Sequence, residues 1–170
     1  MNIENFSILE AVEVAVGIEE EGIRFYTLAA QKVEDPKMKK LFETLKEKEH
    51  DHIKIFRSFY SDLEEKKGDP NAELYLFDPE IAANFKGYVE TAVFPVPGAA
   101  ASILRECEGP EDILRLAMQA EKDSIFYYHE LLHHAPWPEA EDLVKKIIVE
   151  EHRHFGILRR ELEKLHKQMS

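Results

Sequence analysis

Cysteine is nearly absent: the chain has one, Cys107, in 170 residues. A single thiol closes no intramolecular disulfide, which suits a reducing compartment. The lack of thiolates also argues against iron–sulfur clusters and copper(I), and Cys107 itself, followed by Glu108 and Gly109, reads as an inert thiol. Long apolar runs are missing as well. No stretch of 18 apolar residues occurs, so no membrane-spanning helix is expected. No basic segment followed by an apolar run opens the sequence, and the expected location is the cytoplasm. Positive charge is scarce, with 22 Lys and Arg against 34 Asp and Glu, a net charge of −12. Nucleic acid and anionic membrane surfaces would repel such a chain and are not expected as partners.

What remains is a sequence that is 44% hydrophobic and long enough to bury one core, so residues 1–170 are read as one domain. Four long segments carry a helical apolar stripe. The first starts at Ser7, which forms a capping-box pattern with Glu10, and runs to about Glu34. Asp35-Pro36 supplies an N-cap and a first-turn proline for the second, which ends near Gly68. The third opens at Gly109-Pro110, with Glu111 and Asp112 placed favourably against the helix dipole. Pro136 and Pro138 punctuate the turn into the fourth. Helical hairpins are therefore expected over about 7–67 and 110–167, joined by a crossover over about 68–109.

Antiparallel neighbours need only a few linking residues. A connection this long fits one that travels the length of a bundle and leaves the second and third helices parallel. Within it, Asp78-Pro79-Glu80 marks a short helix, and Ala99–Arg105 marks another. Tyr75, Phe77, Phe85, Tyr88 and Phe94 are expected to pack the crossover onto the bundle or onto a partner chain. The expected fold is an all-α four-helix bundle. A homodimer is expected, and exchange of the crossover between protomers stays open.

Two of the apolar stripes are interrupted by Glu-x-x-His, as Glu49–His52 and Glu151–His154, and each has a Glu 30 residues upstream, Glu19 and Glu121. One offset of 102 residues maps the first set onto the second, and Glu19–Tyr26 aligns without gaps to Glu121–Tyr128. This reads as a duplicated hairpin. Glu20 and Glu21 adjoin Glu19, and only the register with Glu121 selects Glu19. Residues at i and i+3 share a helix face, so a Glu and a His at that spacing can address one centre. Oxygen and nitrogen donors suit iron, manganese or zinc. Four buried carboxylates carry −4, which two divalent cations neutralise and which isolated burial would make prohibitive. The candidate ligands are Glu19, Glu49, His52, Glu121, Glu151 and His154. His50 and His152 lie about 100° off that face and read as structural or surface residues. Tyr26 and Tyr128 sit two turns beyond a candidate Glu, where each can hydrogen-bond a ligand carboxylate or act as a plain core aromatic. Trp137, between two prolines, reads as a loop anchor.

The paired Glu…Glu-x-x-His pattern on four helices resembles the ferritin-like superfamily, and within it the rubrerythrin-like diiron carboxylate proteins, over essentially the whole chain. The resemblance implies that the six candidate residues hold two metal ions, most readily iron, with Glu49 and Glu151 bridging. It implies reduction of peroxide or dioxygen with external electrons. Two departures stand out. The rubredoxin module with its Cys-x-x-Cys pairs is missing, so a separate electron-donor protein is implied. The extra glutamate that rubrerythrins carry three residues after the third-helix ligand is here Ser124. The alternatives are iron handling or ferroxidase activity, a structural bundle held by a redox-silent metal, and a hydroxylase for which no sequence feature nominates a substrate.

Overall fold

The computed structural model describes residues 6–66 and 76–169 and contains six helices. They are α1 (Ile8–Lys32), α2 (Pro36–Lys66), α3 (Pro79–Thr91), α4 (Ala99–Glu106), α5 (Pro110–His133) and α6 (Pro138–Met169). Among the described residues there is no strand; Ser7 and Leu76 form one isolated antiparallel bridge. The end of the second helix near Gly68 and the packing of Tyr75 fall outside the described residues. No described helix is long and apolar enough to cross a membrane.

The local signals act as their chemistry requires. The Ser7 side chain and the Glu10 carboxylate bond reciprocally at the α1 N-terminus, satisfying backbone donors that have no partner inside the helix. The Asp35 carboxylate accepts from Lys37 N at 2.9 Å ahead of Pro36. Asp78 caps α3 by accepting from Glu80 N at 2.8 Å. Gly98, just before α4, has a φ of 86°, a left-handed conformation that a side chain would resist.

Helices α1 and α2 form one hairpin and α5 and α6 the other, with α1 against α5 and α2 against α6. Cross-contacts give the directions. Tyr26 meets Glu121 while Tyr128 meets Glu19, so α1 and α5 run antiparallel. Helix α1 is also antiparallel to α2 through their short connection, so α2 and α5 point the same way and the intervening chain must cross the bundle. It does so on this chain's own surface: α3 lies on α5 and α4 on α1. The crossover aromatics pack onto the bundle: Phe85 is buried 5.2 Å from the Tyr127 ring, and half-buried Phe94 lies 5.3 Å from Phe25. Trp137 stands edge-on to Phe59 and has the Lys66 ammonium 3.5 Å from its ring centroid.

The apolar core falls into two clusters. One contains Phe56, Tyr128 and Ile147; the other contains Leu45, Tyr26 and Leu158. Residues related by the 102-residue offset (Leu45 and Ile147, Phe56 and Leu158, Tyr26 and Tyr128) therefore sit in opposite clusters. That is what a pseudo-twofold relation between the hairpins demands, and the axis passes through the gap between the clusters.

Candidate metal centre

That gap is filled by polar groups. Glu19, Glu49, His52, Glu121, Glu151 and His154 are each between 1% and 4% exposed, although carboxylates are almost never buried unless paired. They form two groups of close donor atoms: Glu19, Glu49, His52 and Glu151 in one, Glu49, Glu121, Glu151 and His154 in the other. Glu49 and Glu151 are common to both. His52 Nδ1 lies 3.5 Å from Glu19, 3.3 Å from Glu49 and 2.9 Å from Glu151. His154 Nδ1 lies 3.3 Å from Glu49, 3.7 Å from Glu121 and 3.0 Å from Glu151. The two imidazoles are nearly parallel, with centroids 5.5 Å apart.

Several of these contacts are close without being hydrogen bonds. Glu49 Oε1, His52 Nδ1, Glu151 Oε1 and His154 Nε2 are buried and find no hydrogen-bond partner, even though His52 Nδ1 and Glu151 Oε1 are 2.9 Å apart. Proximity without hydrogen-bond alignment is expected of donor atoms aimed at a common centre, and orphaned buried polar atoms call for such an explanation. The donor set fits two cations of the iron, manganese or zinc type.

Electrostatics agree. Burial, then the neighbouring Glu49 charge, raise the Glu19 carboxyl well above its ordinary range. Burial and Glu151 push Glu121 up to about 8. Burial also pushes Glu151 upward, but the neighbouring imidazoles outweigh it and hold this carboxyl below its usual value. For His154, burial lowers the pKa, yet Glu121, Glu151 and Glu49 raise it overall to about 12. His52 is raised in the same way by Glu151, Glu19 and Glu49, again against burial. Without cations the cluster thus retains protons, because crowded carboxylates in a dry interior demand compensating positive charge.

Tyr26 and Tyr128 bind carboxylates of the cluster, but not those of their own helices. The Tyr26 hydroxyl donates to Glu121 and the Tyr128 hydroxyl to Glu19, since antiparallel α1 and α5 place each tyrosine beside the other helix's glutamate. Tyr26→Phe leaves a buried Glu121 oxygen without its donor. It is expected to weaken cation binding roughly 10- to 100-fold, as loss of a partner behind a ligand commonly does, and competition with a chelator measures this.

The structure also separates the adjacent acids. Glu20 is exposed and meets Arg57 at 3.2 Å. His50 and His152 are exposed too. Sequence reasoning missed Glu21. It is 5% exposed, yet it turns away from the cluster and accepts from Gly98 N and Ala100 N at 2.9 Å each, capping α4. Its register mate Asp123 accepts from Val93 N at 2.7 Å. Both halves therefore use the acid two residues past the cluster glutamate to tie down the crossover. The 102-residue register held that signal, but nothing local distinguished it from a solvated charge. Glu21→Ala strands two backbone donors and is expected to cost about 2–3 kcal/mol of stability, read by urea unfolding. Ser124 donates its hydroxyl to Ala120 O at 3.1 Å and so adds no carboxylate to the centre.

A search of curated protein sequences finds no match. Among solved structures, a Thermotoga maritima protein described as a ferritin-like diiron-carboxylate protein matches 98% of this chain and 98% of its own, at 28% identity and a TM-score of 0.69. The sequence model of the rubrerythrin family matches residues 10–162. With that match running from the first turn of α1 almost to the end of α6, and with a buried carboxylate–imidazole cluster at the bundle centre, the chain belongs to the rubrerythrin family, whose fold is that of the ferritin-like diiron carboxylate proteins.

Proposed function

We propose that the protein is a diiron oxidoreductase that reduces peroxide or dioxygen with electrons from a separate donor protein. The observation that carries this reading is the sharing of Glu49 and Glu151 by both donor groups, which supports two adjacent cation positions rather than two isolated ones. Glu19 and His52 complete one position, and Glu121 and His154 the other. Two iron ions held by these residues would supply reducing equivalents and Lewis acidity.

The protein's own residues do the rest. Glu49 and Glu151 fix the spacing of the two positions. Tyr128 and Tyr26 occupy one oxygen of Glu19 and Glu121, steering the other toward the cations. The two apolar clusters flank the centre, and such low-polarity surroundings strengthen charge interactions between the groups they enclose.

The test is elemental analysis followed by stopped-flow mixing of the reduced protein with peroxide. About two irons per chain are expected, with peroxide consumed well beyond the rate of free iron. A rate no faster than free iron discards the reading. A second reading, iron handling without turnover, draws on Ser124, which leaves the centre without a fifth carboxylate. It predicts uptake and oxidation of ferrous iron with no catalytic consumption of peroxide.

A further inference from the structure

A cavity of about 230 Å³ lies between α1, α5 and the Ala92–Pro97 segment of the crossover, and it reaches the metal centre at Glu19, Glu49 and Glu121. Its walls are chiefly apolar, among them Val14, Ile18, Phe25, Val89 and Phe94, and Val96 at its rim is 60% exposed. Gly22 contributes no side chain to the wall; a Cβ there would stand 3.5 Å from the Glu49 Cγ.

Most polar groups along this wall are already engaged, Glu49 Oε1 being the buried exception. Glu21 is committed to Gly98 N and Ala100 N. Asp123 accepts from Val93 N and from the Gln119 amide at 2.8 Å. The Tyr127 hydroxyl donates to Ala11 O at 2.8 Å, Tyr26 to Glu121 and Ser124 to Ala120 O. Among the described residues no Lys, Arg or His side chain lines the cavity, so an anion would find no charge partner there in the metal-free protein. Apolar cavities of about 150 Å³ take up benzene, so this one has room for a larger ring system.

We propose that this cavity is a binding site for a neutral, apolar organic molecule of one to two aromatic rings' size, seated against the Glu19–Glu49–Glu121 side of the centre. It deepens the oxidoreductase reading and rests on it for the site's purpose, but the binding itself needs only the cavity.

The experiment is calorimetric titration of the metal-loaded protein with naphthalene, followed by comparison of naphthalene with 2-naphthoate, a charged analogue of the same ring, on chelated protein, where no cation can take the carboxylate. Saturable naphthalene binding is expected, with naphthoate at least about tenfold weaker because its charge has no partner. Val89→Phe should fill the cavity from α3 and weaken naphthalene by about tenfold or more, while Val89→Ala should leave binding intact or tighten it. Absence of saturable naphthalene binding overturns the proposal, as does naphthoate binding as tightly as naphthalene. Unchanged naphthalene affinity in Val89→Phe overturns it too. Peroxide turnover is a separate readout, so naphthalene binding to a protein that consumes no peroxide supports the cavity while removing the oxidoreductase reading.

Discussion

Replacing Glu49 with glutamine is expected to empty both cation positions, taking bound metal from about two ions per chain to nearly none and abolishing any activity the centre has. Glu49 belongs to both donor groups, so its loss removes an anionic oxygen from each position at once. Glu151→Gln should do the same. Glu19→Gln or Glu121→Gln touches one group only and should leave about one ion per chain, held at the intact end. The contrast separates a shared-carboxylate centre from two independent sites, where each of the four substitutions would cost one ion. Elemental analysis after gel filtration reads the result. Folding should survive in the glutamine variants, because removing a negative charge from a crowded acidic cluster relieves repulsion in the metal-free protein. If Glu49→Gln retains one full equivalent, the bridging assignment is wrong.

The second large effect is a pH dependence that reverses with metal. In the metal-free protein His154 is raised from 6.5 to about 12 and Glu121 from 4.5 to about 8. Both hold protons more tightly when folded. The Glu121 contribution is complete below pH 4.5 and is lost as pH rises through 8; that of His154 is complete below pH 6.5 and is lost toward pH 12. The lowered Glu151 carboxyl works in the opposite direction, but only as pH falls below its ordinary range. Metal-free protein should therefore be most stable in mild acid. It should lose stability steadily between about pH 5.5 and 8.5, a window in which the folded state holds protons on these groups that the unfolded state releases. With cations bound the trend inverts, since the ligands must shed their protons to bind metal. Urea unfolding of chelated and metal-loaded protein at the two pH values checks this. Chelated protein that is equally stable at both would contradict the electrostatic picture.

The sequence alone determined the helices, because caps, prolines and apolar periodicity are local and each helix obeys them. Asp78-Pro79 starts α3 and Gly109-Pro110 starts α5 where those signals stand. It also determined which six side chains meet, since the duplication wrote the same pattern twice in one register and single accidents do not repeat. Glu19 was separated from Glu20 and Glu21 by that register alone, and the fold buries Glu19 in the cluster while Glu20 faces solvent.

Tertiary structure decided what depends on helix directions and on distant backbone. Tyr26 and Tyr128 serve each other's glutamates because α1 and α5 are antiparallel, a relation between segments about 95 residues apart in sequence that no local pattern encodes. Glu21 and Asp123 hold the crossover because backbone donors at Val93, Gly98 and Ala100 arrive beside them only after the chain has crossed the bundle. The apolar cavity is likewise a product of assembly. Its walls come from α1, α5 and the crossover, and empty space between elements has no residue of its own to announce it.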